Sequence, residues 1–500
     1  MKKIIQNIAF VILCFLTSCN GYLDPIIYNR FSNANFPQTE EDYAALVTGI
    51  YAEFRVDNAW YRYSASPESR MILGEIGTEE MWINWEWCNN PHIRFDFNPG
   101  YDLFNQFYDF MVPSVAKATF ALALLGECTT LPTELKSRFE AEIKCCRAFW
   151  LYDLQGFYGS PVVVLDPEKA MHPSSDYYPP RLSDKELFEF IEKDLLSAID
   201  ILPARYDNDA DYGRFTKGAA SSLLMKLYMR HKKFDKAVAI SEEIMKMGYD
   251  LEPVYSKIWD VANEKNSEIV FSLQNDNLNS PNSNIMRAHV LPSDWVSPTD
   301  SPVAAFSGYR VPWDVYDQFD PEDKRLSTLV KDYLIWENGQ KKMIDGRATG
   351  RLNGALPLKY GEDPSSDGTF CGNDFVLIRY ADILLLRAEA LNELNGPTQE
   401  SIDLINRIRI RAFGDDKPDK LIKLDQFDSK ESLKDYILQE RLFEFIFEGE
   451  RREDLIRHGK YIEYAHKRGI MSAQPYHVKF PLPSHLIVEG KGNIKQNEGY

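Results

Sequence analysis

Glu440, Glu444 and Glu448 recur every fourth residue in the run from Tyr436 to Lys460, so a helix there carries three carboxylates on one stripe. Paired carboxylates can act as general acid and base, as in glycoside hydrolysis. Around the rest of the predicted helix lie Ile437, Leu438, Leu442, Phe443, Phe445, Ile446 and Phe447. A helix apolar on nearly all sides is a buried one. Buried carboxylates must be paired, hydrogen-bonded or protonated. Two chemistries therefore compete: a catalytic acid cluster, or an internal ion-pair lock. Arg441, Arg451, Arg452 and Arg457 are the nearby cations, with Arg441 three residues from Glu444, and Arg451 and Arg452 three and four from Glu448.

Elsewhere the chemistry is thinner. No Cys/His spacing for zinc occurs, no EF-hand-like loop for calcium is present, and no cofactor is predicted. After Cys14 and Cys19 at the N-terminus, five cysteines remain without a CxxC pair, which argues against a disulfide framework. His458 and His466 read as ordinary surface or core histidines.

The chain of 500 residues can bury a large core, and its formal charge of -18 argues against nucleic acid or anionic membrane as a partner. Aromatics are abundant, with 9 Trp, 27 Tyr and 29 Phe. On an acidic body they point to a neutral ligand held on ring faces, against the plainer reading of a larger core. Met1-Lys2-Lys3, the apolar run Ile4 to Leu16 and then Leu16-Thr17-Ser18-Cys19 have the form of a lipoprotein signal. Residues 1–18 are expected to leave, and Cys19 to be lipidated and to anchor the chain. No other apolar run is read as a membrane span.

The elements around these residues are mostly helical. Thr39 caps a first helix and Ser183 another that ends at Pro203; Asp102 to Gly126 and Thr133 to Phe157 carry helical signals. Thr216 to Gly248 is a helical hairpin of about tetratricopeptide length, and Asp374 to Phe413 repeats the plan in degenerate form. Between them, Leu251 to Gly372 is rich in Pro, Ser, Asn, Asp and Gly. Loop-rich inserts of that length are usually functional.

Several motifs in this order resemble the SusD/RagB family of surface lipoproteins. They include Cys19-Asn20-Gly21-Tyr22-Leu23-Asp24, Arg147-Ala148-Phe149, Gly159-Ser160-Pro161-Val162 and Lys217-Gly218-Ala219-Ala220. Arg379 to Leu386, Asn406, Arg409, Arg411, Glu440-Arg441, Glu444, Glu448-Gly449, Arg451, Pro481-Leu482-Pro483 and Gln496-Asn497 complete the set. Arg387 and Glu79-Glu80 depart from its usual pattern. The resemblance implies a mainly α fold in which tetratricopeptide-like helix pairs form a scaffold with long ligand-binding loops and a few short strands. It covers residues 19–500, divided as a helical part 19–250, an insert 251–372 and a helical part 373–500. It implies a lipid-anchored, outer-membrane, surface-exposed protein that binds a glycan without catalysis. Its expected partner is a SusC-like, TonB-dependent outer-membrane barrel.

Sugars bind proteins through pyranose C–H faces laid on aromatic rings, with polar side chains fixing the hydroxyls. The candidate ligand residues are Trp82, Asn84, Trp85 and Trp87, with Asn89 and Arg94 nearby, and Trp295, Tyr309 and Trp313 from the insert as a second wall. If the first segment is extended, Trp85 and Trp87 share a face. In a family of binders, Glu440, Arg441, Glu444, Glu448 and Arg451 read as an internal ion-pair lock. The rival functions are a surface glycoside hydrolase and a scaffold of the same fold that binds peptides or another nutrient.

Overall fold

The computed structural model describes residues 36–55, 62–174, 177–206, 208–278 and 282–500. Cys19 and the leader lie outside the described residues. Long helices carry the scaffold: α1 (Glu40–Ala52), α2 (Glu86–Arg94), α3 (Asp102–Glu127), α4 (Thr133–Tyr158), α5 (Asp184–Ile199), α6 (Lys217–Arg230), α7 (Phe234–Met245), α8 (Tyr380–Asn395), α9 (Gln399–Phe413) and α10 (Lys430–Phe445). Their starts follow local chemistry. Thr39 and Ser183 form capping boxes with Asp42 and Glu186, and the Thr216 hydroxyl accepts from Ala219 N–H. Gly159 ends α4 at φ 72°, a conformation that disfavours any residue with a Cβ.

From α3 onward successive helices pack on one another: α3 on α4, α4 on α5, α5 on α6, α6 on α7, α7 on α8, and α8 on both α9 and α10. The pairs α6–α7 and α8–α9 are the tetratricopeptide-like hairpins. Ala219, Ala220, Ala237, Ala381 and Ala388 are fully buried there, where small side chains let helix axes approach. By length and composition α3 alone among the described helices could cross a membrane, which corrects the reading that no such run follows the leader. Its apolar face is spent in the core, where Phe104, Phe107, Met111 and Val115 are fully buried. Much of the aromatic excess is also core, including Trp150 and Trp259.

The insert holds most of the short strands. Its base is clasped by β2 (Ile269–Leu273) against β6 (Phe375–Arg379), antiparallel and bulged, with Ile269 opposite Arg379. Within it, β4 (Asp332–Glu337) and β5 (Gln340–Asp345) form a hairpin. Asn338 and Gly339 turn it at φ 53° and 77°, the two-residue geometry that matches strand twist. A further ladder joins β1 (Trp82–Ile83) to β3 (Tyr309–Arg310) and so ties the insert to the N-terminal half.

Candidate functional site

The three carboxylates of the opening run are buried and paired, but with partners other than the local ones expected. Glu440 meets Arg325 at 2.7 Å and Arg409 at 2.8 Å. Glu444 meets Arg379 at 2.5 Å, Arg325 at 3.3 Å, and Arg411. Burial alone would raise the Glu444 pKa, but Arg411, Arg379 and Arg325 together hold it below the usual carboxylate range. Glu448 is not on the stripe, because α10 ends at Phe445 and Phe447 turns the chain at φ 59°. It still reaches Arg379, at 2.8 Å, and Lys359. Arg441 instead bonds Asp382 (2.8 Å) and Asp454 (2.7 Å), toward α8. Arg451 turns to Glu79 (2.9 Å) and the Leu438 carbonyl (2.8 Å).

The departures from the family pattern join the same brace. Arg387 links α8 to Glu400 on α9 (2.6 Å) and Ser241 on α7 (2.8 Å). Glu80 accepts from Phe447 N–H (2.9 Å) and Glu75 from Gly449 N–H (2.5 Å), gripping the turn after α10.

The ladder between β1 and β3 brings one residue of the second predicted aromatic group, Tyr309, against the first. Trp82 stands opposite Arg310, and Ile83 opposite Tyr309. Asn84 N–H donates to the Gly308 carbonyl (2.7 Å), Asn84 Nδ2 to the Ser307 carbonyl (2.6 Å), and Asn353 Nδ2 to Asn84 Oδ1 (2.7 Å). Trp85 opens α2, and its ring stands edge-on to His289 (5.5 Å) and Tyr309 (5.3 Å). A Cβ on Gly308 would come within 2.4 Å of the Trp85 ring, so this close approach requires glycine. Trp82 is 36% exposed, Trp87 57% and Phe306 39%.

Three expectations change. Trp85 and Trp87 do not share a face, because α2 begins at Glu86, and two helical residues point about 200° apart. Tyr309 is fully buried, with its hydroxyl on the Ala65 carbonyl (2.6 Å), so it supports Trp85 rather than facing solvent. Trp313 lies under Arg347 (4.7 Å) and edge-on to Tyr316 (5.7 Å), and does not line the cleft described next.

Those residues form an open cleft of about 510 Å³, lined by Asn84, Asp294, Ser307, Arg310, Arg351 and Asn353 with small neighbours. None of the predicted tryptophans lines it: Trp82 pairs with Arg310 across the ladder, and Trp295 and Phe306 are chain neighbours of Asp294 and Ser307. Trp295 is half-buried and stacks flat on Tyr333, with ring centres 5.6 Å apart. Asp294 accepts from Tyr333 Oη (3.0 Å) and Arg351 Nη1 (2.6 Å). Burial lowers the Arg310 pKa to about 10, which leaves it protonated at neutral pH. The sequence reading missed Asp294, Ser307, Arg310, Arg351 and Asn353. The run Gly350-Arg351-Leu352-Asn353-Gly354, polar and glycine-flanked inside the insert, was the one signal for part of this set. A second cavity, of about 290 Å³, lies between residues 204–216 and β2. Its polar groups are largely spent on one another, as in Lys265 with Asp209 and Tyr212 with Asp374.

Residues 35–229 match a family profile described as starch-binding associating with outer membrane, and residues 267–500 match that of the SusD family. Over 93% of each chain the protein is 26% identical to SusD-like protein P38 of Formosa agariphila. Its fold is similar to that of a SusD homolog from Bacteroides thetaiotaomicron, with a TM-score of 0.80 at 20% identity over 94% of this chain and 99% of the other. It is also similar to surface glycan-binding protein A from Bacteroides thetaiotaomicron, solved in complex with laminarihexaose. There the TM-score is 0.75 at 19% identity, over 92% of this chain and 100% of the other. The two profile matches together span both halves of the chain, and the chain belongs to the SusD/RagB family.

Proposed function

We propose that the protein is a cell-surface lipoprotein that captures an oligosaccharide or polysaccharide and passes it to a SusC-like, TonB-dependent outer-membrane transporter. The observation that carries this reading is the cleft at the β1–β3 junction. Hydroxyl-matching side chains (Asn84, Ser307, Asn353) line it, and the exposed Trp82 stands opposite its Arg310 across the ladder. That combination suits a sugar chain, which offers C–H faces and a fringe of hydroxyls. The glycan complex of a fold relative adds support. Binding rather than turnover is favoured because the densest carboxylate cluster, Glu440, Glu444 and Glu448, is tied to Arg325, Arg379, Arg409, Arg411 and Lys359. Carboxylates tied up in buried ion pairs are not free to meet a substrate, and the arginines around Glu444 hold it below the usual carboxylate range, unlike a general acid. Anchoring is expected through Cys19.

Affinity electrophoresis through gels carrying candidate polysaccharides tests the reading, together with a reducing-sugar assay. Retardation by at least one glycan without release of reducing ends is the expected result. Measurable hydrolysis would contradict it. Co-purification of an outer-membrane barrel with the tagged lipoprotein tests the delivery step.

A further inference from the structure

Two arginines line the cleft, in different states. Arg351 is about half exposed and pairs with Asp294 at 2.6 Å. Arg310 is 3% exposed. Its Nη1 donates to the carbonyls of Val290 (2.7 Å) and Tyr309 (2.6 Å), and its buried Nε has no partner. No carboxylate among the described residues lies within ion-pair distance of it.

That is unusual in this molecule. Arg70, Arg147, Arg325, Arg379, Arg411 and Arg441 are buried, and each meets a carboxylate. Among the described buried arginines only Arg310 and Arg452 do not. Arg452 is packed over the Phe480 ring at 4.3 Å and faces a gap of about 20 Å³, no larger than a water. Arg310 faces a cleft large enough for sugar rings. A buried guanidinium without a counter-ion carries a large desolvation cost that an arriving anion would offset. Counting Arg310, Arg351 and Asp294, the cleft bears one net positive charge on a chain of -18. Long-range attraction of a polyanion is therefore absent, and any preference must come from direct contact inside about one Debye length, roughly 10 Å.

We propose that this cleft selects acidic glycans, with a carboxylate or sulfate ester of the sugar seated against Arg310. This rests on the reading of the cleft as a glycan site, and it revises the expectation of a neutral ligand drawn from overall charge.

Calorimetry with three probes of six sugars each tests it: laminarihexaose, hexagalacturonate and a carrageenan hexasaccharide. At least one acidic probe should bind about tenfold or more tighter than laminarihexaose, since charge-assisted bonds are the stronger ones. Which acidic probe wins separates carboxylate from sulfate. Arg310→Gln should weaken the acidic probe by at least about tenfold more than it weakens laminarihexaose, so that the ratio of the two affinities collapses. Asp294→Asn, which removes the cleft's negative charge, should tighten the acidic probe, and it reads the same question should Arg310→Gln fail to fold. If laminarihexaose binds as well as both acidic probes, acid selection is overturned and glycan capture stands. Equal loss for neutral and acidic probes in Arg310→Gln also overturns it, by making Arg310 a brace. If neither acidic probe binds, acid selection is overturned, and the retardation assay across polysaccharides decides the glycan reading separately.

Discussion

Glu444 Oε1 and Arg379 Nη1 lie 2.5 Å apart with both side chains almost wholly buried, and the pair ties the last turn of α10 to the strand that closes the insert. Glu444→Gln would leave Arg379 and Arg411 short of a countercharge. Breaking a buried pair from one side costs about 3–5 kcal/mol. The expected result is a loss of that order in urea unfolding, with glycan affinity nearly intact in the folded fraction. A loss below about 1 kcal/mol would mean the brace is not structural.

Glu75 and Glu80 predict a pH dependence. Both are fully buried beside each other, and burial pushes Glu80 up to about 7 and Glu75 well above its ordinary value. Below pH 4.5 the folded and unfolded chains both hold these protons. From about 4.5 to 7 the unfolded chain releases them and the folded one keeps them, so stability falls as pH rises. Glu80→Gln removes one titrating site. Its stability should fall less across that window than that of the unaltered protein, by on the order of 1–3 kcal/mol. Equal slopes in the two proteins would contradict a retained buried proton.

Trp82 and Trp85 should separate in their effects. Trp82 is exposed beside the cleft, so Trp82→Ala should weaken glycan binding about tenfold or more with little change in melting temperature. Trp85 is packed on His289 and Tyr309, so Trp85→Ala should lower the melting temperature as well. Calorimetry and thermal melts read both. Unchanged affinity in Trp82→Ala would move the site elsewhere.

Gly308→Ala should force the Trp85 ring aside, since the new Cβ would sit 2.4 Å from it. Overpacking of this kind costs about 1–3 kcal/mol. Intrinsic tryptophan fluorescence should shift with the ring. An unshifted spectrum and unchanged stability would contradict the close approach.

Cys19→Ala should release the protein from the membrane fraction. Full retention after cell fractionation would contradict lipid anchoring through Cys19.

The scaffold was largely legible because its signals are local. Thr39, Ser183 and Thr216 cap the helices that their spacing predicts, and the two helical hairpins follow apolar stripes. The buried state of Glu440 and Glu444 was equally legible, since their neighbours are apolar all round. Their partners were not. Arg379 and Arg325 come from elements far along the chain, and no spacing reports a contact made by tertiary packing. The end of α10 was hidden as well, because Phe447, a residue with a Cβ, takes the left-handed turn there. The cleft posed the hardest case. Asn84 and Ser307 are 223 residues apart and meet only through a two-residue ladder, too short for a period-two pattern to announce.

The central claim is that a glycan is bound at the β1–β3 cleft. Calorimetry of a glycan that retards the unaltered protein, repeated on Asn353→Ala and on Trp82→Ala, tests it most directly. Saturable binding that both substitutions weaken at least about tenfold, with both variants still folded, is the predicted result. Affinity unchanged in both variants would contradict it.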